Sequence, residues 1–91
     1  MAKLELMIRL VTPKIQELVD LEFAKLADQP EASTALDQVG LNGGDKIVYE
    51  YLDHGEAGLA FEHLRYMVYE TGIELAPDIQ EALEKISNSL G

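Results

Sequence analysis

Residues 45–72 read D-K-I-V-Y-E-Y-L-D-H-G-E-A-G-L-A-F-E-H-L-R-Y-M-V-Y-E-T-G, and this stretch decides the predicted fold. Apolar residues recur in it at intervals of three and four, the spacing of one face of an α-helix. The pattern predicts two helices that meet at His54-Gly55, with the glycine in the left-handed position that ends many helices. Acids and tyrosines occupy the remaining positions, where they either solvate the bundle or form a docking surface.

The first of these helices is predicted to run to Asp53 with Asp45 as its N-cap, because aspartate is a favoured capping residue. The second has Glu56 in its first turn, where the helix dipole favours a carboxylate, and it ends at Gly72. A further helix is predicted from Ala76-Pro77-Asp78 to the C-terminus, since proline suits the first helical position. Apolar stripes accompany all three helices.

The N-terminal part of the chain carries two competing patterns. Residues 3–11 alternate as a strand would, but they also fit helical spacing, and the helical stripe continues beyond them to Val19. This continuity favours a helix near 2–11, although the strand stays open as an alternative. Thr12-Pro13 is a helix-start signal, so a break or kink is expected there, followed by a second helical piece near 13–27.

Between the N-terminal helix and residue 45 the periodicity weakens. Pro30 opens a weak helical turn, and three glycines between Gly40 and Gly44 predict a connector. We therefore expect an all-α fold: a compact bundle of about four main helices, with a Gly-rich connector near 40–44. Residues 1–91 are expected to form a single domain, as the length is ordinary for one core.

The composition excludes several classes of function. Seventeen acids against seven bases give a net charge of −10, which repels nucleic acid and anionic membrane but attracts basic partners. The absence of cysteine excludes disulfides, thiolate metal sites and thiol nucleophiles. No apolar run suits a signal peptide or a membrane span, so a cytoplasmic location is expected.

The sequence contains no convincing catalytic, cofactor or metal site. His54 and His63 are nine residues apart on different helical segments, and zinc would need a further ligand such as Glu56 or Asp53. Carboxylate pairs are almost unavoidable in so acidic a chain, and catalysis would also require a concave site with displaced pKa values. We therefore expect neither an enzyme nor a metalloprotein, and His54 is expected to end a helix.

Tyrosines and acids in the second half of the chain point instead to protein binding. Residues 45–91 carry ten acids and three bases, whereas residues 1–44 carry seven and four. Tyrosine is enriched at binding hot spots because it offers a large contact area at low entropic cost. Tyr51 lies on the apolar stripe and is expected in the core; Tyr49, Tyr66 and Tyr69 lie off it. The expected contact set is Glu50, Asp53, Glu62, Tyr66, Tyr69 and Glu70.

The spelling Y-L-D-H-G-E-A-G-L-A-F-E-H-L at residues 51–64, followed by Glu70 and the helix that begins at Ala76-Pro77, resembles the MafI-like immunity proteins. The CdiI immunity proteins of contact-dependent growth inhibition include similar helical members. The resemblance covers roughly residues 45–91. It implies a cytoplasmic bacterial antitoxin that blocks one secreted toxin domain, often an RNase, with EndoU-type enzymes among the candidates. Glu56, Gly58 and Glu62 match the motif, where they are expected to serve the fold.

From these features we expect an immunity protein that covers the basic active-site groove of a cognate nuclease. The nuclease would be the C-terminal toxin domain of a CdiA- or MafB-like protein, and acids would take the place of RNA phosphates. The alternative is an acidic helical adaptor, or a homodimeric interaction module, with no toxin partner. Whether the protein is a monomer or a dimer stays open.

Overall fold

The computed structural model describes residues 3–26 and 40–91, and these residues form a helical bundle. The described part contains helices α1 (Lys3–Leu26), α2 (Gly44–Asp53), α3 (Ala57–Thr71) and α4 (Pro77–Leu90), and it contains no strand. The all-α prediction is therefore confirmed. The helical turn predicted from Pro30 lies outside the described residues.

Helix α1 is continuous through Thr12-Pro13, so the predicted division into two helical pieces was wrong. Pro13 cannot donate a backbone N–H, which normally weakens a helix interior. The chain is nevertheless held helical by its buried face, where Ile8, Thr12 and Ile15 are fully buried. The Thr12 hydroxyl donates to the Ile8 carbonyl at 2.6 Å, which adds a bond across this turn. The packing of this buried face outweighs the local tendency of Pro13 to interrupt the helix.

The helical interpretation of residues 3–11 is confirmed and the strand alternative is wrong. A strand would place Leu6, Ile8 and Leu10 on the same face. In the structure Ile8 is fully buried, while Leu6 and Leu10 are exposed. Burial thus follows the helical period.

The core gathers the apolar stripes of all four helices around α1. Helix α4 packs mainly against α1 and makes its smaller contact with α3, whereas α2 and α3 form a closely packed antiparallel pair. The buried apolar residues are Ile8, Val11, Ile15, Val19, Leu41, Val48, Leu52, Ala60, Phe61, Leu64, Met67, Ile79 and Ile86. The divergence of α3 from α4 leaves a groove between them.

The beginning of α2 differs from its prediction. Gly43 occupies the N-cap position and Gly44 already belongs to the helix, so Asp45 is not the cap and the connector is shorter than predicted. The cap is supplied from α1: the buried Gln16 side chain accepts from the Asp45 N–H at 2.9 Å through Oε1. Its Nε2 donates to the Leu41 carbonyl at 3.1 Å. A residue distant in sequence therefore holds this helix start.

The junction between α2 and α3 agrees with its prediction at Gly55. This residue has φ of +73°, and its N–H donates to the Leu52 carbonyl at 3.0 Å. The Glu56 N–H donates to the Tyr51 carbonyl at 2.8 Å, which completes a Schellman motif. Glu56 itself lies at the N-cap of α3, one position before the helical turn predicted for it. His54 is the C-cap of α2, as expected for a helix-end residue.

Candidate functional site

The outward face of α3 carries most of the predicted contact residues. Leu59, Glu62, Tyr66 and Tyr69 follow one another at intervals of three and four, so they form a row along the helix. Tyr69 is 86% exposed and Leu59 is 43% exposed, so both present apolar surface to solvent. Glu62 and Glu70 are exposed beside them, and Tyr66 is half-buried. Aromatic surface and acids therefore alternate on a single helix.

A groove of about 650 Å³ lies between this face and α4. Three predicted contact residues, Glu62, Tyr66 and Tyr69, line one wall. Leu83, Glu84 and Ser87 of α4 form the other wall, and Phe61, Arg65 and Val68 complete the lining. The apolar floor and polar rim make this groove suitable for a protruding side chain or loop of another protein.

Arg65 introduces a positive charge that the acidic-surface prediction did not include. Its guanidinium lies over an aromatic face, with Cζ 5.9 Å from the Phe61 ring centroid. Glu62 and Glu84 line the same groove. The rim thus combines two carboxylates with one guanidinium. It can pair with a basic partner, and it repels partners whose charges are arranged differently.

Tyr66 is positioned by a chain of contacts that reaches the connector. Its ring centroid lies 5.6 Å from that of His63. The His63 Nε2 is 2.8 Å from the Gly40 carbonyl oxygen, to which a protonated Nε2 donates. Tyr66 also packs partly against the core, as Tyr49 and Tyr51 do. Among the predicted contact tyrosines, Tyr69 alone therefore presents nearly its whole side chain to solvent.

Asp53 is engaged within the chain. Its Oδ1 accepts from the Arg9 guanidinium at 2.7 Å, and Arg9 also reaches Glu5 at 3.3 Å. The hydrogen bond that Arg9 donates to Asp53 is the main cause that raises the pKa of Arg9 above its ordinary value. A basic partner would have to compete with Arg9 for this carboxylate.

Tyr49 lies in the same group of side chains as Arg9 and Asp53. Arg9 Cζ lies 5.7 Å from its ring centroid. Burial raises the pKa of the Tyr49 hydroxyl, and the nearby Asp45 charge raises it further, while Arg9 acts in the opposite direction. This cluster ties α2 to α1, so both Tyr49 and Asp53 have a role in packing.

The remaining predicted residues lie apart from the α3–α4 groove. Glu50 is exposed and lines a separate depression with Ile47, Tyr51, His54 and Glu56. Glu70 is exposed in the last turn of α3, outside the groove lining. The structure therefore brings together Glu62, Tyr66 and Tyr69, with Glu70 on the same helix. Glu50 and Asp53 lie at the end of α2.

Sequence reasoning did not select Leu59, Arg65 or the α4 wall of the groove. The spacing of Leu59 from Tyr66, two helical turns, could have indicated Leu59. The groove could not be inferred, because it depends on the divergence of α3 from α4. Gly58 also differs from its expected role, since a Cβ at this position would meet no atom within 4 Å. Packing within the described chain does not require glycine there.

Within residues 3–26 and 40–91, no group of three or more histidine, aspartate or glutamate side chains is arranged to hold a metal ion. Nor does any helix of this described part have the length and apolar character to cross a membrane. Comparison of the chain with protein-family models, with characterised proteins and with solved structures finds no match. Functional inference therefore starts from the surface itself.

Proposed function

We propose that this protein is a cytoplasmic immunity protein that binds a basic nuclease toxin domain and blocks its active-site groove. The observation that carries the proposal is the row on α3, where exposed Tyr69 and Leu59 alternate with the acids Glu62 and Glu70. Such a row offers apolar anchors with polar groups beside them, as an interface does with its apolar core and polar rim. The protein acts in this proposal as an inhibitor and has no catalytic role.

The charge distribution supports a basic partner. Exposed side chains in residues 40–91 include nine acids and three bases, and the acids extend over α2, α3 and α4. An RNase binds the phosphates of its substrate with a basic groove, so an acidic surface would be drawn to it by long-range attraction. In the proposed complex the carboxylates of α3 occupy the positions of RNA phosphates.

The sequence resemblance supports the same class of function. The stretch at residues 51–64 that resembles the MafI-like immunity proteins begins at the end of α2 and continues into α3. The Schellman turn at Gly55 sets the entry into α3 and thereby the direction of its outward face. We propose that the motif preserves this turn, while the exposed residues along α3 select the toxin, with EndoU-type RNases among the candidates.

If the proposal is right, the gene directly upstream should encode a large secreted protein whose C-terminal domain is the toxin. In the deciding experiment that domain is co-expressed with this chain, and the mixture is separated by gel filtration at moderate salt. We expect a stable complex and loss of the RNase activity of the toxin domain. Separate elution, with undiminished RNase activity, would overturn the proposal and leave the adaptor alternative.

A substitution then locates the contact. Tyr69→Ala should raise the dissociation rate of the complex by roughly 30-fold, the effect of a hot-spot residue. Leu21→Ala is the matched control, because Leu21 is an exposed apolar residue on α1. Equal dissociation rates for the two variants would place the interface elsewhere.

A further inference from the structure

The turn that leads into α2 contains the one asparagine of the chain that is followed by glycine, Asn42. Its side chain is exposed. The Gly44 N–H donates to the Leu41 carbonyl at 3.2 Å, which closes a four-residue turn around Asn42 and Gly43. Gly43 has φ of +67° and ψ of 22°, whereas Asn42 does not have a positive φ, so the turn is of type II. The Asn42–Gly43 peptide therefore forms the outer corner of the turn.

Two groups at this corner can react with each other: the side-chain carbon Cγ of Asn42 and the backbone nitrogen of Gly43. Within residues 3–26 and 40–91, neither the Asn42 side-chain amide nor the Gly43 N–H forms a hydrogen bond. A Cβ at position 43 would meet no atom within 4 Å, so the space around this residue is open. A hydrogen-bonded backbone N–H loses its proton only after local opening, and the Gly43 N–H lacks this protection.

We propose that Asn42 is a site of spontaneous deamidation and that its isoaspartyl product weakens the fold. The deprotonated Gly43 nitrogen attacks Asn42 Cγ and forms an N–Cγ bond. The Cγ–Nδ2 bond breaks, and the displaced amide takes up the proton lost by the Gly43 nitrogen and leaves as ammonia. One water molecule then opens the five-membered imide. Opening at Cγ gives aspartate, and opening at the backbone carbonyl carbon gives isoaspartate. Glycine favours the ring closure because it has no Cβ to obstruct the attack.

Asn88, the second asparagine of the chain, lies in a different environment. It is exposed like Asn42, but it belongs to α4 and is followed by Ser89. The helical pattern joins the Ser89 N–H to the Lys85 carbonyl, and the Ser89 hydroxyl donates to the same carbonyl at 2.9 Å. Attack on Asn88 therefore requires the end of α4 to open, and the Cβ of Ser89 obstructs it further. We expect Asn88 to react more slowly than Asn42.

The isoaspartyl product is damaging because both sides of the turn are buried. Leu41 is fully buried, and its carbonyl also accepts from Gln16 Nε2 at 3.1 Å. Gly44 is buried so closely against α3 that a Cβ there would lie 2.8 Å from the Met67 sulfur. Isoaspartate adds one methylene carbon to the backbone between Leu41 and Gly44. One of these two residues has to move to accommodate it.

The aspartyl product should leave the fold intact. It keeps the length of the backbone, and its carboxylate lies just before the N-terminus of α2, where the helix dipole favours a negative charge. The loss of stability is therefore specific to isoaspartate. This inference goes beyond the proposed function and does not rest on it, since the reaction requires only water.

Peptide mapping of the full chain by mass spectrometry tests the site. Trypsin releases the two asparagines on separate peptides because Lys46 and Lys85 lie between them, and deamidation makes a peptide one mass unit heavier. Folded protein in buffer is compared with protein unfolded in urea at the same pH and temperature. At Asn42 we expect the folded rate to be within about tenfold of the unfolded rate, since no local opening is needed. Stronger protection of Asn42 by folding would overturn the proposal, as would conversion of Asn88 at the same rate as Asn42.

The pH dependence identifies the attacking nitrogen. A rise of one pH unit should accelerate the conversion of Asn42 roughly tenfold, because the deprotonated fraction of the Gly43 nitrogen rises by that factor. Asn42→Gln is the matched control: it keeps an exposed, uncharged amide, but its ring would have six members and closes more slowly. This variant should gain no mass at position 42 over the same period. An equal mass gain in the variant and the wild type would contradict the proposed reaction.

Urea denaturation of the products tests the effect on the fold. Anion exchange separates converted protein, because either product carries one additional negative charge. The isoaspartyl fraction should unfold at a lower urea concentration than the wild type, while the Asn42→Asp variant should unfold at the wild-type concentration or above it. Equal midpoints for the isoaspartyl fraction and Asn42→Asp would refute the proposed loss of stability.

Discussion

Gln16 is the residue that links the first helix to the start of the second. Its amide is buried, and it serves the Asp45 N–H, the Leu41 carbonyl and the Asp20 carboxylate, at 2.9, 3.1 and 2.9 Å. Each of these bonds contributes little when made, but a buried partner left unsatisfied is costly. Gln16 therefore has more influence on the fold than its polar side chain suggests.

Replacement of Gln16 by leucine should lower the free energy of unfolding by about 1–3 kcal/mol, because the helix-start N–H of Asp45 loses its partner and the Leu41 carbonyl keeps only the bond from the Gly44 N–H. Urea denaturation measures this difference. Glu17→Leu is the control, since Glu17 is exposed on the next position and should change stability by less than about 0.5 kcal/mol. Similar losses in the two variants would contradict the capping role of Gln16.

Tyr49 predicts a pH dependence of stability. Burial raises its pKa above the ordinary 10.0, so the folded chain holds the hydroxyl proton more strongly than the unfolded chain does. Its contribution to stability is therefore complete below the ordinary pKa and is lost as the pH rises through the raised pKa. Urea denaturation at neutral and strongly alkaline pH should show a smaller alkaline loss for Tyr49→Phe than for the wild type.

Leu59→Ala serves as the control for this titration. Leu59 is exposed and carries no titrating group, so its replacement should leave the alkaline loss of stability unchanged. If Tyr49→Phe and the wild type lose equal stability, the Tyr49 hydroxyl does not titrate in a buried position.

At the scale of elements, the turn at residues 40–43, which leads into α2, contacts both α3 and α1. Gly40 has φ of +81°, and its carbonyl accepts the bond from His63 on α3. A Cβ at this position would lie 2.8 Å from His63 Cε1, which is too close for a real contact. Glycine is therefore required here both by the backbone and by the neighbouring ring.

Gly40→Ala should destabilise the protein by about 2 kcal/mol, since alanine is strained at positive φ and displaces His63. Gly58→Ala should have the opposite sign and stabilise by about 0.5–1 kcal/mol, because Gly58 is an exposed helical residue with open space around its Cα. Thermal unfolding of the two variants measures whether Gly40→Ala lowers the stability and Gly58→Ala raises it. Destabilisation by Gly58→Ala would point to a contact that the described chain lacks.

At the scale of the whole molecule, the exposed negative charge is distributed unevenly over the surface. The exposed part of α1 is nearly neutral, and the acids accumulate on the other helices. In the proposed function the acidic sides attract a basic toxin. Toxin capture should consequently slow as the salt concentration rises.

Charge reversal separates a local from a global electrostatic effect on toxin capture. Glu62→Lys and Glu17→Lys change the net charge equally, but Glu62 lies in the α3–α4 groove and Glu17 lies on α1. At low salt the toxin association rate, from stopped flow, should fall roughly fivefold more for Glu62→Lys, and its salt dependence should flatten. Wild-type rates that are equal at low and high salt would exclude electrostatic capture.

The helices after residue 44 were predictable because their signals are local. The turn at Gly55, the end at Gly72 and the start at Pro77 depend on backbone geometry that neighbouring residues determine. The candidate site was less accessible to prediction. Its α3 members share a helical face that spacing reveals, whereas Arg65 and the α4 wall join it only through packing. The functional role of the six predicted residues stays a prediction.

The sequence by itself determined the all-α class, the apolar stripes and the excess of acids after residue 44, because helical periodicity and charge are carried by residues close together in the chain. Only the tertiary structure decided that α1 passes unbroken through Pro13, that Gln16 caps α2, and that Arg9 binds Asp53. These features depend on contacts between residues far apart in sequence. Local propensity does not encode such contacts, since their free energy arises when distant segments are buried together.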